Sequence, residues 1–423
     1  MAPNHQHFTN YAIILAAILS FTGRAAAQSA APGLKIIHSF QGGSKDGSQP
    51  MAGVVPGSGG VLYGTTTGGG PSNLGTVFAL KPPAASDDDW TEKVIYSFSG
   101  DDGAVPSTTL VRGPRGVLYG ATGEGGGAAA CSGGCGTVFS LTPPSTAAGS
   151  WTEAVLYRFT GGSDGSSPTG LAIGSGGVLY GTTNNIATTG LGTVFSLTPP
   201  ATAGGAWAET VLLAFSGKDG GDPTDGVTVA GDGSLYGTTF GGGEFDLGVV
   251  FRLKPPATAG GEWTPTVLHS FTGSDGAFPS AGVVIGSGGV LYGAAGVGGQ
   301  FGDGTIYALT PPSSAGDGWT IDVLLNFDGP NGNSPIANLT IGSGGVLYGT
   351  TNVGGASNLG TLFALVSPLA SGGSWTEVVL HSFAGSPDGS IPSAPVSIAP
   401  GGGLYSTTTS GGTAGVGTVF AYQ

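Results

Sequence analysis

The chain reads as an all-β protein, a seven-bladed β-propeller of four-stranded antiparallel blades, and three features lead there. The phrase VLYGTT…GTVF recurs with its tyrosine at Tyr63, Tyr119, Tyr180, Tyr236, Tyr292, Tyr348 and Tyr405, spaced by 56 or 57 residues except for one interval of 61. A period of this length belongs to propellers and solenoids, whose units bury their apolar faces only against neighbours. Each copy also divides into four short β-type runs, and no helical periodicity follows residue 27. Finally, a copy of the fourth run, residues 34–40 (LKIIHSF), precedes everything else, whereas the last repeat supplies only runs one to three. Pairing that leading strand with the last repeat completes a closed ring with residues 34–423 as one domain. A parallel β-helix, the alternative, is built from shorter coils.

The unit at residues 279–327 shows why each strand forms. Residues 281–285 (AGVVI) and 290–295 (VLYGAA) flank Gly286-Ser287-Gly288-Gly289 and read as a hairpin across a glycine turn. A Gly-rich loop leads to residues 304–309 (GTIYAL), which Pro311-Pro312 stops because proline cannot donate to the ladder. Trp319 opens the fourth run, where Trp319, Ile321, Val323, Leu325 and Phe327 alternate onto one face.

Composition narrows the classes. Gly 86 and Pro 28 in 423 residues would suggest disorder without a period, but the glycines fall at fixed repeat positions. Only 9% of residues are charged and mean hydropathy is +0.21, which opposes disorder. A formal charge of −14 with 11 basic residues disfavours nucleic acid and anionic membranes as partners. Residues 11–21 (YAIILAAILSF) are apolar but too short to span a bilayer, and Ala25-Ala26-Ala27 offers a small-residue cleavage site. The expectation is a cleaved signal peptide at 1–27, a short leader at 28–33 and secretion to the periplasm or cell exterior, with no membrane span after cleavage. In that setting Cys131 and Cys135, inside the insertion that lengthens the second repeat, are expected to pair as a local disulfide.

The combined pattern G.LYGTT…GTVF.L.P…W…VLHSF.G..DG..P resembles the GloVer (Gloeobacter/Verrucomicrobia) tandem repeat of exported bacterial proteins, over residues 34–423. The resemblance implies an extracytoplasmic repeat protein, some relatives carrying a C-terminal sorting anchor that residues 420–423 here do not provide. It transfers no catalytic residue. By strand order the chain is also similar to NHL-type propellers, an analogy of fold alone.

The candidate polar set is the turn after each fourth strand, with Asp46, Asp102, Asp164, Asp219, Asp275, Asn331 and Asp388 each followed by Gly and, four residues on, by Pro. These turns share a face with the Gly-rich loops after the second strands, so they could ring that face with ligands for a cation or sugar hydroxyls. Asp-Gly is equally a preferred turn pair, and Asn331 suits a turn better than a charge requirement. His38, His269 and His381 occupy one repeat position where other copies carry Tyr96, Tyr157, Leu213 and Leu325, which argues packing rather than metal ligation. The six tryptophans and the LYG tyrosines are likewise expected to pack. No metal site and no cofactor is expected.

Because the polar residues recur in every repeat, whereas catalysis breaks symmetry at one or two positions, the reading favours a non-catalytic binding or structural module over an enzyme. A glycan or a protein at the propeller face is the expected kind of partner. The alternative is an extracellular carbohydrate-active enzyme, a glycosidase or lyase, at the central funnel. Its candidate carboxylates are Glu244, Asp246 and Asp303, where residues 240–246 (FGGGEFD) and 301–303 break the repeat.

Overall fold

Each repeat supplies one four-stranded antiparallel sheet, and a computed structural model shows how the seven sheets close. It describes residues 33–84, 89–146, 149–185, 190–202, 204–258, 260–314, 317–368 and 373–423. The expected signal peptide at 1–27, and all but the last residue of the leader at 28–33, lie outside the described residues. Blade 1 comprises Val55–Pro56, Leu62–Thr66, Thr76–Lys81 and Thr91–Ser97, hydrogen-bonded in chain order. The same order holds through blade 6, whose strands are Thr340–Ile341, Leu347–Thr351, Thr361–Val366 and Thr376–Ser382. Blade 7 takes Ser397–Ile398, Leu404–Thr408 and Thr418–Tyr422 from the C-terminal end and Leu34–Ser39 as its outer strand. Leu34 faces Tyr422 and Ser39 faces Thr418 across that ladder, so the two ends of the array close the ring.

The repeat phrase is explained by contacts between blades. Phenylalanine at the end of each outer strand meets the third-strand aromatic of the next blade edge-on: Phe40 with Phe78, Phe98 with Phe139 and Phe271 with Tyr307, at centroid distances of 5.1, 5.1 and 5.2 Å. Such edge-to-face pairs add to the area they bury. The glycine of LYG makes room for this ladder, since a Cβ on Gly64 would lie 2.5 Å from Phe78 Cζ. At the outer rim, tryptophan and tyrosine pair across blades as Tyr63–Trp151, Tyr119–Trp207 and Trp90–Tyr405, at 5.5 to 6.1 Å. Apolar clusters therefore straddle neighbours, as Val77 and Phe98 of blade 1 join Leu110, Leu118 and Phe139 of blade 2.

Near the axis, hydroxyls replace apolar packing. Thr238 Oγ1 donates to the Ala281 carbonyl at 2.7 Å, Thr350 Oγ1 to Ala394 at 3.1 Å and Thr407 Oγ1 to Ala52 at 3.0 Å. Each bond ties a second strand to the entry segment of the next blade and so fixes the wall of the axial opening. The two loop sets share one face, as expected. Gly47–Ser48 pairs with Gly68–Gly69 in blade 1, and bridges Gly221 to Gly241 and Ala277 to Val297 repeat the contact. The approach is close enough to require glycine at Gly69 (φ +88°), where a Cβ would meet Asp46 O at 2.3 Å.

Candidate functional site

The Asp-Gly residues are bonded within their own turns. Asp46 accepts from the backbone N–H of Gln41 at 2.7 Å, Asp102 from Ser99 at 2.8 Å, and Asp164 from Thr160 at 2.8 Å. Asp219 accepts from Ser216 at 2.7 Å, Asp275 from Thr272 at 2.9 Å, Asn331 from Asp328 at 2.9 Å and Asp388 from Ala384 at 2.8 Å. The side chain acts as an Asx staple on the residues just before it. His269 and His381 add a ring-nitrogen hydrogen bond to Asp275 and Asp388 at 2.8 and 2.9 Å, and Tyr157 donates to Asp164 at 3.1 Å. Tyr96 donates to Asp102 in the same way. All three histidines pack edge-on to the strand's phenylalanine, but His269 and His381 also brace the turn carboxylate, a role the alignment with leucine concealed.

A second carboxyl approaches this brace from the next blade. Glu92, Glu153, Glu209 and Glu377 each hold Oε1 buried without a hydrogen-bond partner. Burial first, and then the charge of Asp46, pushes Glu92 up to about 7; burial and Asp164 push Glu209 up to about 7. Burial likewise raises Glu377 to about 7 against the pull of Asn331, which donates to its Oε2 at 2.8 Å. At Asp46, burial is outweighed by the nearby His38 ring, 3.7 Å away, and by hydrogen bonds from the Gln41 and Gly47 N–H groups, which hold the carboxyl below its ordinary value.

Blades 4 and 5 break the symmetry of this face. Phe240, Phe245 and Phe301 are 40%, 52% and 56% exposed, and Phe240 stacks on Phe278 at 4.9 Å with rings 24° apart. Around them, Asp246 accepts from Gly242 N at 2.9 Å, Asp303 accepts from Asn333 Nδ2 at 2.6 Å, and Glu244 is exposed. Asp246 thereby takes the place of Asn73 and Asn358, which close the equivalent loops of blades 1 and 6 with the same bond. Asp222 lies beside it, its carboxyl raised by burial and by the Asp246 charge.

On the axis, the entry segments enclose a cavity of about 120 Å³ whose lining includes Ser107, Thr109, Thr169, Thr224, Ser280 and Ser393. Asp225 projects from blade 4 into this polar wall. Its Oδ2 accepts from Gly282 N of blade 5 at 3.0 Å and from Asn338 Nδ2 of blade 6 at 2.5 Å. Burial raises the Asp225 carboxyl, while Asn338, Gly226 and Gly282 pull it back. Neither residue was among the sequence candidates, yet a signal was present. Two positions after the shared proline, Asp225 stands where other repeats carry Ala52, Thr108, Ala281, Ala337 and Ala394.

Cys131 and Cys135 form the expected disulfide, which packs on Gly161 of the following turn, where a Cβ would lie 2.8 Å from both sulfurs.

The description of the Gloeobacter/Verrucomicrobia repeat fits residues 26–206 and 201–420, and the chain belongs to that family. No curated protein matches it in sequence. Among solved structures it resembles a polysaccharide lyase, an ulvan lyase bound to a glucuronate–sulfated rhamnose oligosaccharide, at TM-score 0.51 and 12% identity over 92% of this chain and 95% of that one. It also resembles the extracellular domain of a hybrid two component system from B. thetaiotaomicron, at TM-score 0.53 and 12% identity over 93% and 41%. PorZ, a surface component of the type-IX secretion system of Porphyromonas gingivalis, matches at TM-score 0.51 and 14% identity over 89% and 46%. The chain thus spans less than half of the last two. At these identities the likeness is one of fold. No helix among the described residues is long and apolar enough to cross a membrane.

Proposed function

We propose that this protein is a secreted, non-catalytic module that binds a neutral extracellular glycan on the face carrying the Asp-Gly turns. The observation that carries the reading is the aromatic strip of blades 4 and 5, in which Phe240, Phe245 and Phe301 are exposed to solvent and Phe240 stacks on the half-buried Phe278. Exposed rings set among carboxylates and hydroxyls suit a ligand with apolar ring faces and hydroxyl edges. The acidic chain disfavours sulfated or uronic polymers.

The test is a glycan array followed by calorimetry on the exported chain. Binding to a neutral glycan is expected, weakened at least tenfold by Phe240→Ala, Phe245→Ala and Phe301→Ala together, with an unchanged melting temperature. No binding, or binding indifferent to the triple variant, would defeat the reading. Release of product from the bound glycan, lost on changing Glu244, Asp246 or Asp303 to the amide, would establish the carbohydrate-active enzyme instead. Secretion predicts that the mature protein begins at Gln28; N-terminal sequencing that finds Met1 would refute cleavage.

A further inference from the structure

The axial cavity has the chemistry of a binding site in its own right. Seven of its fifteen lining residues carry hydroxyls, groups that both donate and accept, as the hydroxyls of a sugar ring do, and six are apolar, Met51 and Ile336 among them. Among the described residues, Asp225 is the one ionisable side chain in the wall, and no cationic side chain lines it. Asn338 spends its amide nitrogen on Asp225, leaving its Oδ1 buried with no partner. A buried acceptor left unmade is costly, so this pairing marks the wall as a place where the fold gives up stability. At about 30 Å³ of liquid volume per water, about 120 Å³ has the room of about four waters, enough for the hydroxyl edge of one sugar ring.

The repeat alignment shows that this wall is a local departure from the ring. Asn338 occupies the third position after the proline, where other blades carry Gly53, Thr109, Gly226, Gly282 and Pro395. Blade 3 is drawn in beside it, since a Cβ on Gly170 would lie 2.5 Å from Gly226 N and 3.1 Å from Asp225 Oδ1. One wall residue also lies close along the chain to the aromatic residues. Ser280 in its wall is separated from Phe278 by Pro279 alone, and its hydroxyl donates to the Phe278 carbonyl at 3.4 Å.

We propose that the cavity receives the hydroxyl edge of a single neutral ring, the terminal monosaccharide of the glycan bound by the aromatic residues of blades 4 and 5, with Asp225 as its specificity-determining acceptor. This rests on the glycan reading above. It makes recognition end-on, because the cavity has room for part of one ring and not for a chain interior. A sugar acid is rejected, since its carboxylate would face Asp225 with no cation between them.

The test uses the full exported chain and, as probes, free glucose, galactose and mannose at millimolar concentration, read by saturation-transfer NMR and calorimetry. One pyranose should bind, and its uronic acid should not. Asp225→Asn should weaken it at least tenfold. Ser107→Met, which narrows the cavity with a residue the ring already carries at the equivalent Met51, should do the same without lowering the melting temperature and guards against misfolding of the Asp225 variant. The phenylalanine triple variant should leave the pyranose affinity within twofold. If a glycan binds and the triple variant abolishes it, while no pyranose binds and Ser107→Met changes glycan affinity less than twofold, the cavity proposal is wrong and the strip stands. If a pyranose binds but no array glycan does, the cavity stands and the strip reading falls.

Discussion

Removing the closing strand is the sharpest perturbation this architecture offers. A chain beginning at Gln41 lacks Leu34–Ser39 and Phe40, and with them the outer strand of blade 7. Phe40 is fully buried against Phe78 of blade 1, and Ile37 is 8% exposed, so each contributes about 1.5–3 kcal/mol by area. Leu34 and Ile36 are half-buried and contribute about half as much each. The loss comes to about 4–9 kcal/mol, comparable with the 5–15 kcal/mol that holds a typical protein folded. For an array of this size, whose unfolding entropy is about 0.8 kcal/mol per kelvin, that is roughly 5–11 °C in melting temperature. The third strand Thr418–Tyr422 would also become an open edge, inviting association. Differential scanning calorimetry and light scattering should compare this chain with one beginning at Gly33, and a synthetic peptide covering residues 33–40 should restore part of the loss in trans. Equal melting temperatures and a monomeric truncated chain would refute closure by this strand.

Stability should rise as pH falls from about 8 towards 5. Glu92, Glu209 and Glu377 titrate near 7 in the fold against 4.5 unfolded, so their contribution is fully present below 4.5 and is lost as pH rises through 7. Below about 4 the trend should reverse, because Asp46, Asp102 and Asp275 are held below 3.8 and their contribution is lost as pH falls through the folded values. Thermal melts across this range check both limbs, and changing the three glutamates to glutamine should flatten the upper one. Replacing Cys131 and Cys135 with serine opens a five-residue loop and should cost about 2 kcal/mol on loop entropy, measured by urea unfolding; no change would show that the insertion is held by its packing on Gly161 alone. Trp151→Ala removes the edge-on contact with Tyr63 and should cost about 1.5–3 kcal/mol without altering glycan affinity, and a selective loss of binding instead would reassign the tryptophans to the ligand.

The amino-acid sequence by itself determined the architecture, because a repeat repeats its physics. The recurring tyrosine, third-strand aromatic and outer-strand phenylalanine keep their places from blade to blade, so period, strand count and the misplaced strand at residues 34–40 were enough to give blade number and closure. The disulfide was legible for a related reason, since its partners are four residues apart. What only the tertiary structure decided are contacts between repeats that differ. Asp225 and Asn338 lie 113 residues apart and meet because the ring carries the entry segments of blades 4, 5 and 6 to one axis. Glu377 reaches Asn331, and Phe240 reaches Phe278, across blade boundaries that no local spacing encodes. Averaging over repeats made the fold visible and hid these positions, since a site on a symmetric scaffold is defined by the residues that depart from it.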